Sequence, residues 1–212
     1  MGGDMQRVFL VRHAMRQDNE DKSWGQTAAR PDDPPLSPTG LVQARETGRY
    51  LKDKGITALY CSPFLRAIQT AQMVSEEIGV RIRVENALSE WLSAKWFEQR
   101  PELTPLEETR ATCSALDLSY RSRVELAYPE ANVQVDVYQR LQRFLEWLEA
   151  AEAGNVVLVG HGASVTQAAR ALCGPTHDLD AKLASVTEIV RVDGAWRDQG
   201  STQKHLSIVI SE

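Results

Sequence analysis

The sequence predicts an α/β fold: three layers, with a mostly parallel central sheet and helices on both faces. Three observations predict it. Val8-Phe9-Leu10-Val11 and Val156-Val157-Leu158-Val159 are short apolar runs, the pattern of strands buried on both faces. Strand-like runs alternate with stretches of helical period, the order that gives a parallel sheet with crossover helices. The runs also end in reactive residues: Arg12-His13 after the first, Gly160-His161-Gly162 after the last, and Arg66 shortly after a third at residues 56–61. In an open parallel sheet, ligands bind at the carboxyl ends of the strands.

Taken in order, the first strand is followed by a polar stretch, residues 14–35, with no sustained periodicity. Unpatterned loops of that length are usually functional or disordered. Ser37-Pro38 reads as an N-cap with proline at the first helical position. Leu41, Ala44, Gly48 and Leu51 then mark one helical face, and Gly55 is the stop. After the strand at 56–61, Ser62-Pro63 repeats the Ser-Pro start. Leu65, Ile68, Ala71 and Ile78 give the apolar face of that helix, which Gly79 ends. Residues 80–84 alternate as a short strand. Residues 90–132, rich in proline, tryptophan and charge, form a cap insertion expected over the carboxyl edge of the sheet. Helical spacing returns over 135–151 through Val137, Leu141, Phe144, Leu145 and Leu148. The strand at 156–159 leads into a helix over 163–172, ended by Gly174-Pro175. Residues 185–192 and 206–210 look like a terminal pair of strands around a turn at 194–196.

The 212 residues suit one domain, 1–212, with no internal repeat or linker. A net charge of −5 gives no electrostatic footprint for nucleic acid or an anionic membrane, so neither is expected as a partner. An anionic ligand would need a local cluster of positive charge. Cys61, Cys113 and Cys173 are odd in number, far apart and without metal-ligand spacing. They read as reduced thiols of a cytoplasmic protein. No run approaches the ~20 apolar residues of a membrane span, and no signal-peptide pattern precedes Val8. Met1-Gly2-Gly3 resembles the start of a myristoylation signal, but Gln6 stands where Ser or Thr is expected. Residues 194–212 could pair strands with a second copy, giving a homodimer.

Singly, a histidine at a strand end is more often a turn or core residue than a catalyst. Together, two histidines and the arginines Arg12 and Arg66 fall at one edge of one sheet. Arginine's planar fork suits bidentate contact with phosphate oxygens and keeps its charge. Arg66 is also near the first turn of a helix, whose free N–H groups favour an anion. Arg16, three residues beyond His13, could add a third fork. Such a cluster in an acidic protein points to a small phosphate-bearing ligand.

Arg12-His13, the block Ser62-Pro63-x-x-Arg66-Ala67-x-Gln69-Thr70-Ala71, and Gly160-His161 resemble, in order and spacing, the signature blocks of the histidine phosphatase superfamily, which includes the phosphoglycerate mutases. Ala14 departs from the family's Arg-His-Gly. The resemblance implies a phosphoglycerate mutase-like fold and a phosphohistidine formed on His13. It implies that Arg12 and Arg66 hold the phosphoryl oxygens, that His161 donates to them, and that Gly162 belongs with the substrate-binding residues. The family's acid/base is a carboxylate after the third strand, and Glu90 occupies that place. No metal or other cofactor is implied.

Phosphoglycerate mutases follow the histidine with Glu-Ser and a Trp-Asn pair. This chain has Ala14-Met15-Arg16-Gln17-Asp18-Asn19, and only Asn19 fits. Arg16, Tyr60-Cys61-Ser62-Pro63, Glu90-Trp91 with Trp96, and Asp33-Pro34-Pro35-Leu36 are instead similar to the branch of the suppressor-of-T-cell-receptor-signalling and ecdysteroid-phosphate phosphatases. In that branch the third arginine binds phosphate. The leading expectation is therefore a metal-independent phosphomonoesterase acting on a small or aryl phosphate ester. The substrate stays open among aryl phosphate, phosphotyrosine, sterol-like phosphate and sugar phosphate, with Trp91, Trp96 and Phe97 as rings for an apolar leaving group. A mutase-type phosphoryl transferase and a non-catalytic phosphate-binding protein are the alternatives, the latter because Ala14 replaces a glycine that could be needed for its backbone freedom.

Overall fold

In the computed structural model, which describes residues 4–210, the strands are β1 (Met5–Arg12), β2 (Ile56–Cys61), β3 (Ile82–Val84), β4 (Gly154–Gly160), β5 (Val186–Val192) and β6 (Ala195–Thr202). Met1-Gly2-Gly3 and the last two residues of the 194–212 segment lie outside the described residues. The strands form one sheet in the order β3-β2-β4-β1-β5-β6. The first four of these are mutually parallel, while β5 and β6 add an antiparallel edge. The helices are α1 (Gln17–Glu20), α2 (Pro38–Leu51), α3 (Leu65–Ile78), α4 (Leu106–Arg110), α5 (Tyr138–Ala151) and α6 (Gly162–Cys173).

The apolar runs explain the three layers. Successive strand residues point to opposite faces, so Val8, Leu10, Val156 and Leu158 pack with Leu141, Phe144 and Leu148 of α5 and Val165 and Ala168 of α6. Phe9, Val11, Val157 and Val159 pack on the other face with Leu51 of α2 and Ala67, Ile68 and Ala71 of α3. Both faces are covered, as the continuous hydrophobic runs require. No helix among the described residues is long and apolar enough to cross a membrane.

Four local expectations are corrected. The third helix begins at Leu65, not at Ser62-Pro63. The Ser62 hydroxyl is turned to His161, and the carboxylate of Asp33 reaches across the loop to accept the Leu65 N–H at 2.8 Å. The terminal pair of strands is β5 with Ala195–Thr202, and residues 206–210 form no strand. The apolar alternation there misled; the true edge strand is polar because it is exposed along most of its length. The helix expected over 135–151 starts with a wider turn, Val133–Val137, before α5. The insertion does two things rather than one. Its first part packs Leu92 and Phe97 on Phe64 at the head of α3, while Leu116 pairs beside Ile82 and extends the sheet past β3.

The unpatterned stretch after His13 is a closed loop. Arg16 bridges to Leu36, and the Gln17 N–H donates to Pro35 O at 2.9 Å. Gly40 in the first turn of α2 lies so close that a Cβ there would stand 2.1 Å from the Met15 carbonyl oxygen. That contact seats the Met15 backbone against α2, next to Arg16.

Candidate active site

The carboxyl ends of β1, β2 and β4 bring His13, Ser62 and His161 together. His13 follows β1, is 2% exposed, and its own N–H donates to Gly160 O at 2.9 Å. Its Nδ1–H donates to Ala14 O at 2.7 Å, which leaves Nε2 with the free lone pair. Burial, then the charges of Arg66 and Arg12, hold this imidazole well below the usual histidine range, so it is neutral at pH 7. A neutral imidazole beside guanidinium groups has the chemistry to act as a nucleophile toward a bound anion.

Ala14 causes no strain. Its φ is not in the left-handed region, its N–H donates to Thr70 Oγ1 at 3.2 Å, and its methyl is buried with Leu36, Ala44 and Met73. The backbone conformation therefore requires no glycine here.

His161 caps α6, its ring edge-on to His13 with centroids 5.1 Å apart. It is fully buried, and burial followed by the Arg66 charge lowers its pKa well below the ordinary value. Arg66 Nη2 stands 3.3 Å from His161 Nδ1, and Ser62 Oγ 2.7 Å from Nε2. A guanidinium only donates, so Nδ1 accepts and Nε2–H donates to Ser62. Ser62 is a functional neighbour the sequence reading assigned to a helix cap. The donor role the resemblance implies needs the other tautomer, in which Ser62 donates to Nε2 and Arg66 Nη2 has turned away from a protonated Nδ1.

Arg66, in the first turn of α3, is 1% exposed and lies over the Phe64 ring with Cζ 4.5 Å from the centroid. Burial brings its pKa down to about 10, still charged at neutral pH. Its Nε and Nη1 are buried and have no protein partner. The expectation that free N–H groups of this helix favour an anion is corrected at the first of them, because Asp33 already accepts the Leu65 N–H. Arg12 donates through Nη1 to Ala181 O at 2.8 Å and packs over Gly162, where an added Cβ would be 3.6 Å from Arg12 Cζ. Arg16 makes a two-pronged ion pair with Asp18, with Nε donating to Oδ1 at 2.9 Å. The Arg16 charge lowers the Asp18 pKa against the opposing effect of its burial.

Glu90 Oε1 accepts the Trp91 N–H at 3.0 Å, while Oε2 stands 3.5 Å from His161 Nδ1 and 4.0 Å from Arg66 Nη2. A cleft of about 500 Å³ opens above these groups, lined by Arg12, Arg16, Arg66, Glu90, Trp96 and Phe97 together with Asp18, Pro31, Asp32 and Pro34. Trp91 supports it, edge-on to Trp96 at 5.1 Å. Of the seven expected site residues, Arg12, Arg16, Arg66 and Glu90 line this cleft, while His161 lies against Arg66 and Glu90, His13 against His161, and Gly162 under Arg12. Sequence reasoning missed Ser62 as a partner, Asp33 as a cap, and Asp18 and Asp32 in the wall; only the Asp32-Asp33-Pro34-Pro35 cluster hinted at them. Among the described residues no group of three or more His, Cys, Asp or Glu is placed to hold a metal ion.

Two buried neutral imidazoles make stability depend on pH. In the unfolded chain each takes a proton near its ordinary value of 6.5, whereas in the fold each resists protonation until well below it. The unfolded state thus binds more protons below pH 6.5, and stability is present above that value and lost as pH falls. Each group contributes up to about 1.4 kcal/mol per pH unit. Thermal melts between about pH 7 and pH 5 should fall steadily, and less steeply for His161→Asn. A flat profile would mean that the imidazoles protonate normally in the fold.

Comparisons with known proteins bear on the family and the fold. The family model described as the histidine phosphatase superfamily (branch 1) matches residues 8–201. The chain is 30% identical over 162 residues to a putative phosphoserine phosphatase 2 of Hydrogenobacter thermophilus, covering 76% of this chain and 75% of that one. It is 28% identical over 204 residues to human ubiquitin-associated and SH3 domain-containing protein A, covering 79% of this chain but 31% of that protein. Against the mouse counterpart the share is 24%, so the chain spans a third or less of these two relatives. Among solved structures, the ecdysone phosphate phosphatase of Bombyx mori, in complex with tungstate, has the same fold, with a TM-score of 0.73 at 21% identity, covering 98% of this chain and 95% of that one.

Proposed function

The chain belongs to branch 1 of the histidine phosphatase superfamily, and from that premise we propose that it is a metal-independent phosphomonoesterase that works through a phosphohistidine on His13. The observation that carries the proposal is the pairing of a neutral His13, its Nδ1 tied to Ala14 O, with a buried Arg66 whose Nε and Nη1 have no protein partner. Buried donors left unsatisfied in a fold call for a functional explanation. Phosphoryl oxygens supply the missing acceptors.

The reaction follows from what each group can do. Arg12, Arg16 and Arg66 hold the phosphoryl oxygens and offset the charge that develops on them. His13 Nε2 attacks phosphorus; the ester P–O bond breaks, and Glu90 gives its proton to the leaving oxygen. Water then attacks the phosphohistidine while Glu90 takes the proton back, and inorganic phosphate leaves. Once phosphate draws Arg66 Nη2 off His161 Nδ1 and Ser62 donates to Nε2, His161 donates its Nδ1–H to a phosphoryl oxygen, with Gly162 in the N-terminal turn of α6 beside it.

Trp96, Phe97, Pro31 and Pro34 in the cleft wall favour an aryl or otherwise apolar leaving group over a sugar. The free thiols Cys61, Cys113 and Cys173 support a cytoplasmic setting. The same reading treats the chain as one catalytic domain, with the outer edge of β6 available to a second copy. The test is turnover of aryl phosphates in excess EDTA, with rapid acid-free quenching to trap phosphoenzyme. The expected result is undiminished release of inorganic phosphate and an acid-labile, base-stable phosphoryl group on His13. Release that stops in EDTA, or a phosphoryl group retained on an acceptor alcohol rather than freed, would sink the proposal.

A further inference from the structure

Behind Glu90 stands a buried ion pair that the catalytic proposal does not use. Arg140 on α5 and Glu130 in the insertion are both about 5% exposed, and Arg140 Nη1 donates to Glu130 Oε1 at 2.7 Å. Each partner also holds one short piece of main chain. Arg140 Nη2 donates to Ser89 O at 2.6 Å and to Glu90 O at 3.0 Å, and Glu130 Oε2 accepts the Leu92 N–H at 2.8 Å. The pair thus grips the backbone on both sides of Glu90. Ser164 Oγ, donating to Leu88 O at 3.0 Å, adds one more hold, from α6.

The physical question is why two charges are buried here. Desolvating an ion pair costs about as much as the attraction returns, and apolar replacements are often as stable. A folding role alone therefore explains the pair poorly. Residues 89–92 lie in no helix or strand, so nothing in the secondary structure sets their path. A side chain on such a segment wanders unless its backbone is tied, and a general acid must be held to within a fraction of an ångström. We infer that Glu130 and Arg140 are positioning residues that set the Glu90 carboxylate against His161 and the leaving oxygen. This inference rests on the phosphatase reading.

The test separates positioning from support of the fold. Arg140→Lys keeps the charge but lacks the fork that reaches two carbonyls, and Glu130→Gln is its isosteric counterpart. The double variant Glu130→Leu with Arg140→Met removes both charges together and keeps the volume, so it folds even where a single change leaves a charge stranded. The phosphorylation half-reaction is read as kcat/KM for two esters. p-Nitrophenolate leaves without a proton, whereas ethyl phosphate needs one from Glu90. The expected result is kcat/KM for ethyl phosphate down about 10- to 100-fold in each variant, with p-nitrophenyl phosphate held within about threefold. The water step also needs Glu90, so kcat for p-nitrophenyl phosphate falls with its KM and a burst of nitrophenol appears. Equal losses for both esters, or none, in variants that melt near the parent temperature would overturn the inference and leave the phosphatase reading standing. An intact protein that hydrolyses neither ester overturns that reading and this inference with it.

Discussion

His13→Ala is expected to lower kcat/KM for p-nitrophenyl phosphate by about 10⁴-fold or more, without loss of phosphate binding. The loss is large because no other group can take over the attack. His161 is the nearest imidazole, but its Nδ1 faces Arg66 and its Nε2 is engaged by Ser62. Cys61 is buried, and burial pushes its thiol well up, so it is no thiolate. On the proposed mechanism binding survives because the donors assigned to phosphate belong to Arg12, Arg16 and Arg66, while His13 makes hydrogen bonds to the main chain of Ala14, Gly160 and Ala184. The measurement pairs steady-state rates with the rise in melting temperature produced by inorganic phosphate. A variant that keeps a tenth of the parent rate removes His13 from the mechanism. One that loses both rate and phosphate protection shows instead that the imidazole holds the pocket together.

The parts of this molecule legible in its sequence are those fixed by local pattern. Val8 to Val11 and Val156 to Val159 read as buried strands, and in a parallel sheet the residues that follow them emerge at one edge, which is where His13 and His161 lie. Arg66 is located by the apolar face of α3, whatever residue starts the helix. What could not be read depends on contacts distant in sequence. Asp33 caps a helix 32 residues away, and Glu130 reaches back to Leu92 from within an insertion that has no period to follow. Glu85, fully buried, ties Tyr120, Ser122 and Arg123 to the end of β3, a contact no spacing announces. The misplaced last strand has the same origin. Edge strands need not be apolar, so Ala195–Thr202 carries little signal while Leu206 to Ile210, packed partly on other elements, carries a false one.

Arg66→Met is expected to raise the stability of the protein, measured without phosphate, while lowering kcat/KM about 10³- to 10⁵-fold. The stability argument starts from what the guanidinium lacks. It is 1% exposed, two of its donor nitrogens have no protein partner, and its closest carboxylate, Glu90, is 4.0 Å away. Burying such a cation costs more than its contacts return, and burial already draws its pKa down to about 10. Methionine keeps the unbranched stem against Phe64 and can place its sulfur near that ring. The Glu90 carboxylate that loses its neighbour retains some access to solvent, with 13% of its side chain exposed. The balance favours the variant by about 1 kcal/mol, or roughly 2–4 °C in Tm for a chain of this size. On the proposed mechanism the same change removes a fork that holds the transferring group, and with it the protection expected from phosphate in the parent. Melts with and without phosphate, set beside turnover, read all three effects at once. A variant less stable than the parent that phosphate still protects would mean that Arg66 belongs to the core and not to the anion site.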